Sequence, residues 1–306
     1  MPGTATHPFT LRQLQYAAAV AETLSFRRAA ERCGVSQPSL SAQLAALESA
    51  LGTRLFERTR RRVLLAAGAE EMLQRARRVL VEADDLGQAA KRPGDPLAGT
   101  IRAGVIPTIS PYLLPSAVPA LRKRCPRLML VWVEDKTKNL VEQLRGGALD
   151  AAVLALEADI GDVDREIIGK DPFVLAAARS HPLGRARTPL EPKELRETEM
   201  LLLDDGHCLR DQALAFCSRS RVREGSFRAT SLPTLAQMVA GGAGVTLLPS
   251  LAVPLENRGR QLRVRRFRDP APARTLALVF RRGTPRLRAL QEVAAALREA
   301  HQRLAS

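Results

Sequence analysis

Apolar residues recur at helical spacing through the first ninety positions, and in short strand-like runs after them. Leu14, Ala17, Ala18 and Ala21 share one face of a helix expected over 11–22. Ser25 is placed to cap a second helix over 26–33, Gly34 to end it, and Val35 to fill the turn. Ser36 is placed to cap a third, with Pro38 in its first turn, where a missing N–H costs nothing. Along that third helix Leu40, Leu44, Leu47 and Leu51 step by four, three and four, which makes one buried face. Gln37, Ser39, Ser41 and Gln43 are left on the opposite side. Met72, Ala76, Val79, Ala83 and Leu86 stripe a long helix expected over 68–90. Arg92-Pro93-Gly94-Asp95-Pro96 then breaks the pattern and reads as a hinge.

From Gly99 onward the pattern alternates. Residues 100–105, 128–133 and 151–155 are apolar strands, and 113–123 and 139–145 are helical between them. Such alternation predicts a parallel sheet with crossover helices, an α/β fold. A second unit starts with a strand at 171–178. It holds a helix over 232–240 and the run Gly244-Val245-Thr246-Leu247-Leu248-Pro249. A strand at 275–280 returns to the first unit, and a helix over 286–302 follows.

Composition narrows the class. The 306 residues leave room for two or three domains of about 100–150 residues each. At 45% hydrophobic and 26% charged, the chain has an ordinary soluble composition. No apolar run approaches the roughly 20 residues of a membrane span, and residues 1–10 lack a signal-peptide pattern. No membrane partner is expected. Four irregularly placed cysteines are no secreted disulfide framework, which points to the cytoplasm. His7, His181, His207 and His301 lie far apart, so no metal and no other cofactor is expected. The net charge of +15 calls for an acidic partner, nucleic acid above all. That excess is uneven: residues 1–90 carry 12 basic and 9 acidic side chains, residues 181–306 carry 22 and 12. Six arginines between Arg258 and Arg268 are better read as a charged surface strand or turn than as a second DNA site.

Two stretches carry chemistry. The polar face of the third helix suits the major groove, where serines reach bases or phosphates and Gln43 can pair with adenine. Arg54, Arg58, Arg60, Arg61 and Arg62 follow it as a basic hairpin for flanking phosphates. The second stretch is Asp204-Asp205-Gly206-His207-Cys208-Leu209-Arg210-Asp211-Gln212-Ala213-Leu214-Ala215-Phe216-Cys217. Its cysteines are nine positions apart, with good helix formers between them. A helix sets them roughly 13 Å apart, and a disulfide tolerates only about 4.4–6.8 Å between Cα atoms. The segment can be helical with two thiols, or bonded with its helix broken. Cys208 in the first turn, near Arg210, is expected to have a lowered pKa and act as nucleophile, with Cys217 resolving. The alternative is two buried core cysteines, and spacing alone leaves both open.

Ser25-Phe26-Arg27-Arg28-Ala29-Ala30, Val35-Ser36-Gln37-Pro38-Ser39-Leu40-Ser41, Leu47-Glu48, Leu51-Gly52 and Leu55-Phe56-Glu57-Arg58 together resemble the winged helix-turn-helix of LysR-type transcriptional regulators. One departure is Leu65-Ala66-Ala67-Gly68, where that family usually has Thr before Ala-Gly. The resemblance implies an α/β protein with an N-terminal all-α winged helix-turn-helix, and a regulatory part of two periplasmic-binding-protein-like subdomains. Implied boundaries are 9–66 for the DNA-binding domain, 67–91 for a linker helix pairing two subunits, and 92–98 for the hinge. Residues 99–171 with 275–306 would form regulatory subdomain I, and 172–274 subdomain II with the cysteines. Ser36, Gln37, Pro38, Ser39, Ser41, Gln43, Arg54 and Arg58 would contact DNA. Double-stranded promoter DNA and RNA polymerase are the implied partners, a homotetramer the implied assembly, and a regulator rather than an enzyme the implied role.

The stretch from Gly206 to Cys217 is similar to the peroxide-sensing branch of that family. Ile106-Pro107-Thr108 with Pro111-Tyr112-Leu113-Leu114-Pro115, the loop at 134–140 with Thr137, and Ala273-Arg274-Thr275 agree with it. This implies hydrogen peroxide as effector and a reversible Cys208–Cys217 disulfide that refolds the segment between them. Thr108, Thr137, His207, Arg210, Asp211 and Arg274 would bind or activate the peroxide. Cys33 and Cys125 are expected to be inert. A metabolite-responsive regulator of the same family, with incidental cysteines, is the competing reading. A thiol peroxidase is disfavoured, because the DNA-binding module takes a fifth of the chain.

Overall fold

The computed structural model describes residues 7–58, 62–90, 95–186, 188–217 and 222–305. Arg60 and Arg61 of the basic hairpin, Arg92-Pro93-Gly94 of the hinge and residues 1–6 lie outside them. The chain divides into two compact units, residues 1–94 with 145–148, and residues 95–144 with 149–306.

In the first unit, α1 (Leu11–Thr23), α2 (Phe26–Cys33) and α3 (Gln37–Leu51) pack on one another. Leu14, Ala17, Val20, Ala29, Leu40, Leu44 and Leu47 form their common core. Each helix starts on a hydroxyl: Thr10, Ser25 and Ser36 each accept a backbone N–H from three residues on. Gly34 closes α2 at φ 66°, a left-handed turn that costs glycine nothing. A two-stranded wing follows, β1 (Phe56–Arg58) antiparallel to β2 (Val63–Leu65). Glu48 ties it to α3: its carboxylate accepts the Leu55 and Phe56 N–H groups at 2.7 and 3.1 Å. The last helix is α4 (Ala69–Ala90). Met72 and Ala76 of its stripe pack against the helix core, but Val79 and Leu86 are 44% and 73% exposed, so the far end of the stripe is uncovered among the described residues.

The second unit runs β3 (Gly99–Val105), α5 (Ser110–Arg124), β4 (Leu128–Glu134), α6 (Thr137–Arg145), β5 (Ala151–Ala155), β6 (Asp164–Ala178) and α7 (Pro182–Arg185). It continues with β7 (Glu199–Leu203), α8 (Cys208–Cys217), β8 (Arg223–Ala229), α9 (Leu232–Ala240), β9 (Val245–Pro249), α10 (Val253–Glu256), β10 (Leu262–Arg266), β11 (Ala273–Phe280) and α11 (Leu287–Ala305). Strand order is β4-β3-β5-β11-β6-β9-β7-β8, with β10 also on β6. Pairs made by β3 and β7 are parallel, as the alternation predicts. Those made by β6 and β11 with β5, β9, β10 and each other are antiparallel, so the sheet is mixed. The reason is topological: β6 and β11 are the two passages between the halves of the sheet. β6 is 15 residues long and serves both halves, where the apolar pattern alone predicts only its second part.

One core lies around β3, β5, β11, α5, α6 and α11, and two more flank the second half of the sheet. The arginine cluster is the edge strand β10 and its flanks. Charge on an edge discourages further pairing, but Arg265 turns inward at 5% exposure and pairs with Glu194. Among the described residues no helix is long and apolar enough to cross a membrane, and no cluster of metal-ligating side chains occurs.

Candidate functional site

Cys208 is the first residue of α8 and Cys217 its last, so the helix expected between the two cysteines is formed. Gly206, at φ 87°, makes the turn from β7 that delivers His207 and Cys208 to the helix start. Cys208 is a free thiol, 6% exposed, and packs into the core of the first half of the sheet although its helix belongs to the second. It therefore sits where the two halves meet.

The thiol does not have the lowered pKa that its place at a helix start predicts. Burial pushes it up, and this outweighs the Thr137 hydroxyl, the Arg274 charge and the Leu209 backbone N–H, all of which favour the thiolate. Arg210 is not among the stabilising charges. Its guanidinium, 8% exposed, points to Asp205 (2.9 Å), Glu224 (2.8 Å) and the Leu203 carbonyl (3.2 Å), fastening α8 to the ends of β7 and β8. Asp211 is exposed, and its charge opposes the thiolate.

Thr108, Thr137, His207 and Arg274 come together around Cys208 from four separate segments. Arg274, at the start of β11, is fully buried. It donates from Nε and Nη2 to Asp171 Oδ2 at 3.0 and 2.9 Å, from Nη1 to the Thr108 hydroxyl at 2.7 Å, and from Nη2 to the Thr108 carbonyl at 2.8 Å. Asp171 is opposite Arg274 in the β6–β11 pairing, and its other oxygen accepts the Leu251 N–H at 3.0 Å. Thr137 begins α6, and its hydroxyl faces the sulfur, yet that oxygen is buried without a well-formed hydrogen bond. His207 Nε2 is likewise buried and unpartnered. Burial first, then the nearby Lys136 charge, lowers the His207 pKa, so its ring is neutral at pH 7. Lys136 donates to the Asp205 carbonyl at 2.7 Å, bridging the loop after β4 and the turn before Cys208. Sequence reasoning missed Asp171, Lys136 and Glu224, which are partners by register and turn geometry and belong to no local motif.

In the first unit, α3 shows Gln37, Pro38, Ser39 and Gln43 to solvent, with Ser41 half-buried. The Ser36 oxygen serves as the N-cap, accepting the Ser39 N–H at 3.3 Å, and its hydroxyl hydrogen is left to donate to a partner. Arg54 is exposed between α3 and the wing, and Arg58 ends β1.

Residues 94–302 match the LysR substrate binding domain, and residues 11–70 match the bacterial regulatory helix-turn-helix of the lysR family. The chain belongs to the LysR family. A relative from Streptomyces viridosporus, described as a probable hydrogen peroxide-inducible genes activator, is 46% identical over 294 residues, covering 95% of this chain and 94% of the relative. The full-length OxyR of Pseudomonas aeruginosa, solved as a cysteine-to-aspartate variant, superposes with a TM-score of 0.77 at 35% identity, over 95% of this chain and 98% of that one. A cysteine-to-serine mutant of Corynebacterium glutamicum OxyR with hydrogen peroxide bound superposes with a TM-score of 0.65 at 36% identity, over 96% and 95%.

Proposed function

We propose that this LysR-family chain is a peroxide-responsive transcriptional regulator of oxidative-stress genes, with Cys208 as sensor and Cys217 as resolving thiol. One observation carries the reading: a buried thiol at the start of a helix whose far end is a second cysteine, beside two unpartnered buried polar atoms, Thr137 Oγ1 and His207 Nε2. Peroxide is small and both donates and accepts hydrogen bonds, which suits those two atoms. The Thr108 hydroxyl, already accepting from Arg274, keeps its own hydrogen to donate. Hydrogen peroxide bound to the Corynebacterium relative supports the same ligand here.

The chemistry then proceeds in two balanced steps. The Cys208 thiol loses its proton and its sulfur attacks one peroxide oxygen. The O–O bond breaks, and the departing hydroxide takes up that proton and leaves as water. Arg274 offsets the negative charge on the leaving oxygen, and Cys208 is left as a sulfenic acid. The Cys217 sulfur attacks the Cys208 sulfur, and a second water leaves as the disulfide forms. Arg210 and Asp211, in this reading, hold and bias α8 without touching the peroxide. A cellular dithiol resets the pair.

α3, with Ser36, Gln37, Pro38, Ser39, Ser41 and Gln43, enters the major groove of double-stranded promoter DNA, while Arg54 and Arg58 take phosphates. The uncovered stripe of α4 pairs with a second copy, and two such dimers make the tetramer that presents DNA to RNA polymerase. The testing experiment is a thiol count of purified protein before and after about one equivalent of peroxide. Loss of two thiols, with a Cys208–Cys217 peptide found by mass spectrometry, is the expected result. An unchanged count would favour the metabolite-responsive reading.

A further inference from the structure

One side chain links the start of α1 to the helix assigned to the major groove. Gln13 is 9% exposed and closes a capping box with Thr10. Its backbone N–H donates to the Thr10 hydroxyl at 3.2 Å, and the Thr10 backbone N–H donates to Gln13 Oε1 at 2.8 Å. A backbone N–H can only donate, so this second bond fixes which end of the Gln13 amide faces Thr10. The other end, Nε2, is thereby turned to Gln43, thirty residues on, and donates to its Oε1 at 3.0 Å. The Gln43 oxygen is thus engaged within the protein. One of that oxygen's two lone pairs is taken and the oxygen is turned toward α1, so the end of the exposed Gln43 amide directed away from Gln13 is its NH2, which only donates.

We propose that Gln13 is a positioning residue for sequence readout, holding Gln43 as a hydrogen-bond donor toward the base edges. A glutamine free to use both ends of its amide matches adenine, whose N6 donates beside an accepting N7. A glutamine held as a donor matches guanine, with two acceptors, and mismatches cytosine, which offers only the N4 donor. The proposal rests on α3 being the reading helix, and it replaces adenine by guanine as the expected partner of Gln43.

The test uses the full-length protein and a randomised double-stranded DNA library, comparing sequences retained by wild type and variants. The position read by Gln43 is the one whose preference Gln43→Ala erases. There, wild type favours guanine over cytosine by about fivefold to tenfold, the scale of one net hydrogen bond. Gln13→Glu keeps the capping box, because Glu serves that role as well as Gln. Its second carboxylate oxygen only accepts, so Gln43 must turn its NH2 inward and present its oxygen. Preference then inverts to cytosine over guanine, even as the added charge lowers affinity for all sequences. Gln13→Met frees Gln43 and moves the preference to adenine. If both Gln13 variants keep the wild-type preference while Gln43→Ala erases it, the proposal is overturned and α3 remains the reading helix. If Gln43→Ala changes no position, the assignment of α3 fails and the proposal with it.

Discussion

Cys208 is held as a neutral thiol by the core around it, and this sets its pH dependence. Its pKa is raised, so the thiolate fraction, and with it the peroxide rate, should climb with pH to a midpoint above the ordinary thiol value of about 8.5. A rate measured across that range that is flat, or inflects below neutrality, contradicts the account. The same sign applies to stability: the contribution is full below the unfolded thiol's pKa and is lost as pH rises through the folded one. Asp171→Asn strands Arg274 as a buried unpaired charge, at a cost of about 3–5 kcal/mol. A lowered Tm and a peroxide rate reduced at least about tenfold, on the scale of one lost electrostatic contact, are expected; an unchanged rate would remove Arg274 from the chemistry. Thr108, Thr137, His207 and Arg274 were legible only as candidates, through short stretches that resemble the peroxide-sensing branch, and the fold brings them together. Asp171 was not, because it meets Arg274 only through the β6–β11 register. The direction of the Cys208 shift was misjudged for a related reason. Helix position is readable from sequence, whereas packing against the opposite half of the sheet is not.

At the scale of elements, α8 is the part that must change. Cys208, Leu209, Arg210 and Ala213 are buried along it, and Phe216 stacks edge-on to Phe267 at 5.1 Å between ring centres. Joining the cysteines requires about 13 Å to shrink to about 6 Å, which takes these contacts apart. Phe216→Ala should therefore destabilise the reduced form by about 1–2 kcal/mol, since the ring is half-buried. The disulfide potential becomes more negative by about 20–40 mV, measurable by equilibration with glutathione. An unchanged or less negative potential would mean that Phe216 stays packed after oxidation. α8 was visible in the sequence as a run of helix formers between two cysteines. β7 and β8 were not, and β10 was legible only as a charged strand or turn: β8 and β10 carry charges between their apolar positions, and β7 is a five-residue run. Their pairing, which local propensity does not encode, decides them.

At the scale of the whole molecule, the proposed switch assigns DNA reading to α3, subunit pairing to α4 and peroxide sensing to α8. Arg58→Ala should weaken binding to every sequence and flatten the salt dependence by about one unit of slope, without changing which sequence is preferred. Filter binding at several salt concentrations checks this, and a changed preference would move Arg58 from phosphate to base contact. Leu86→Glu places a charge on the exposed α4 stripe and should shift sedimentation toward smaller species; an unchanged sedimentation profile would leave the stripe without a partner helix. The helix-turn-helix was legible nearly to the residue, because caps, Gly34 and the leucine stripe are all local signals. How α8 answers to peroxide is not local, and hydrogen exchange addresses it directly. Exchange is followed across residues 209–216 in the reduced full-length protein and after peroxide, with the Cys208–Cys217 bond verified by mass spectrometry. The account predicts strong protection when reduced and its loss over most of the segment when oxidised. Equal protection in the two states, with the disulfide present, would contradict the breaking of α8 even if both cysteines proved essential.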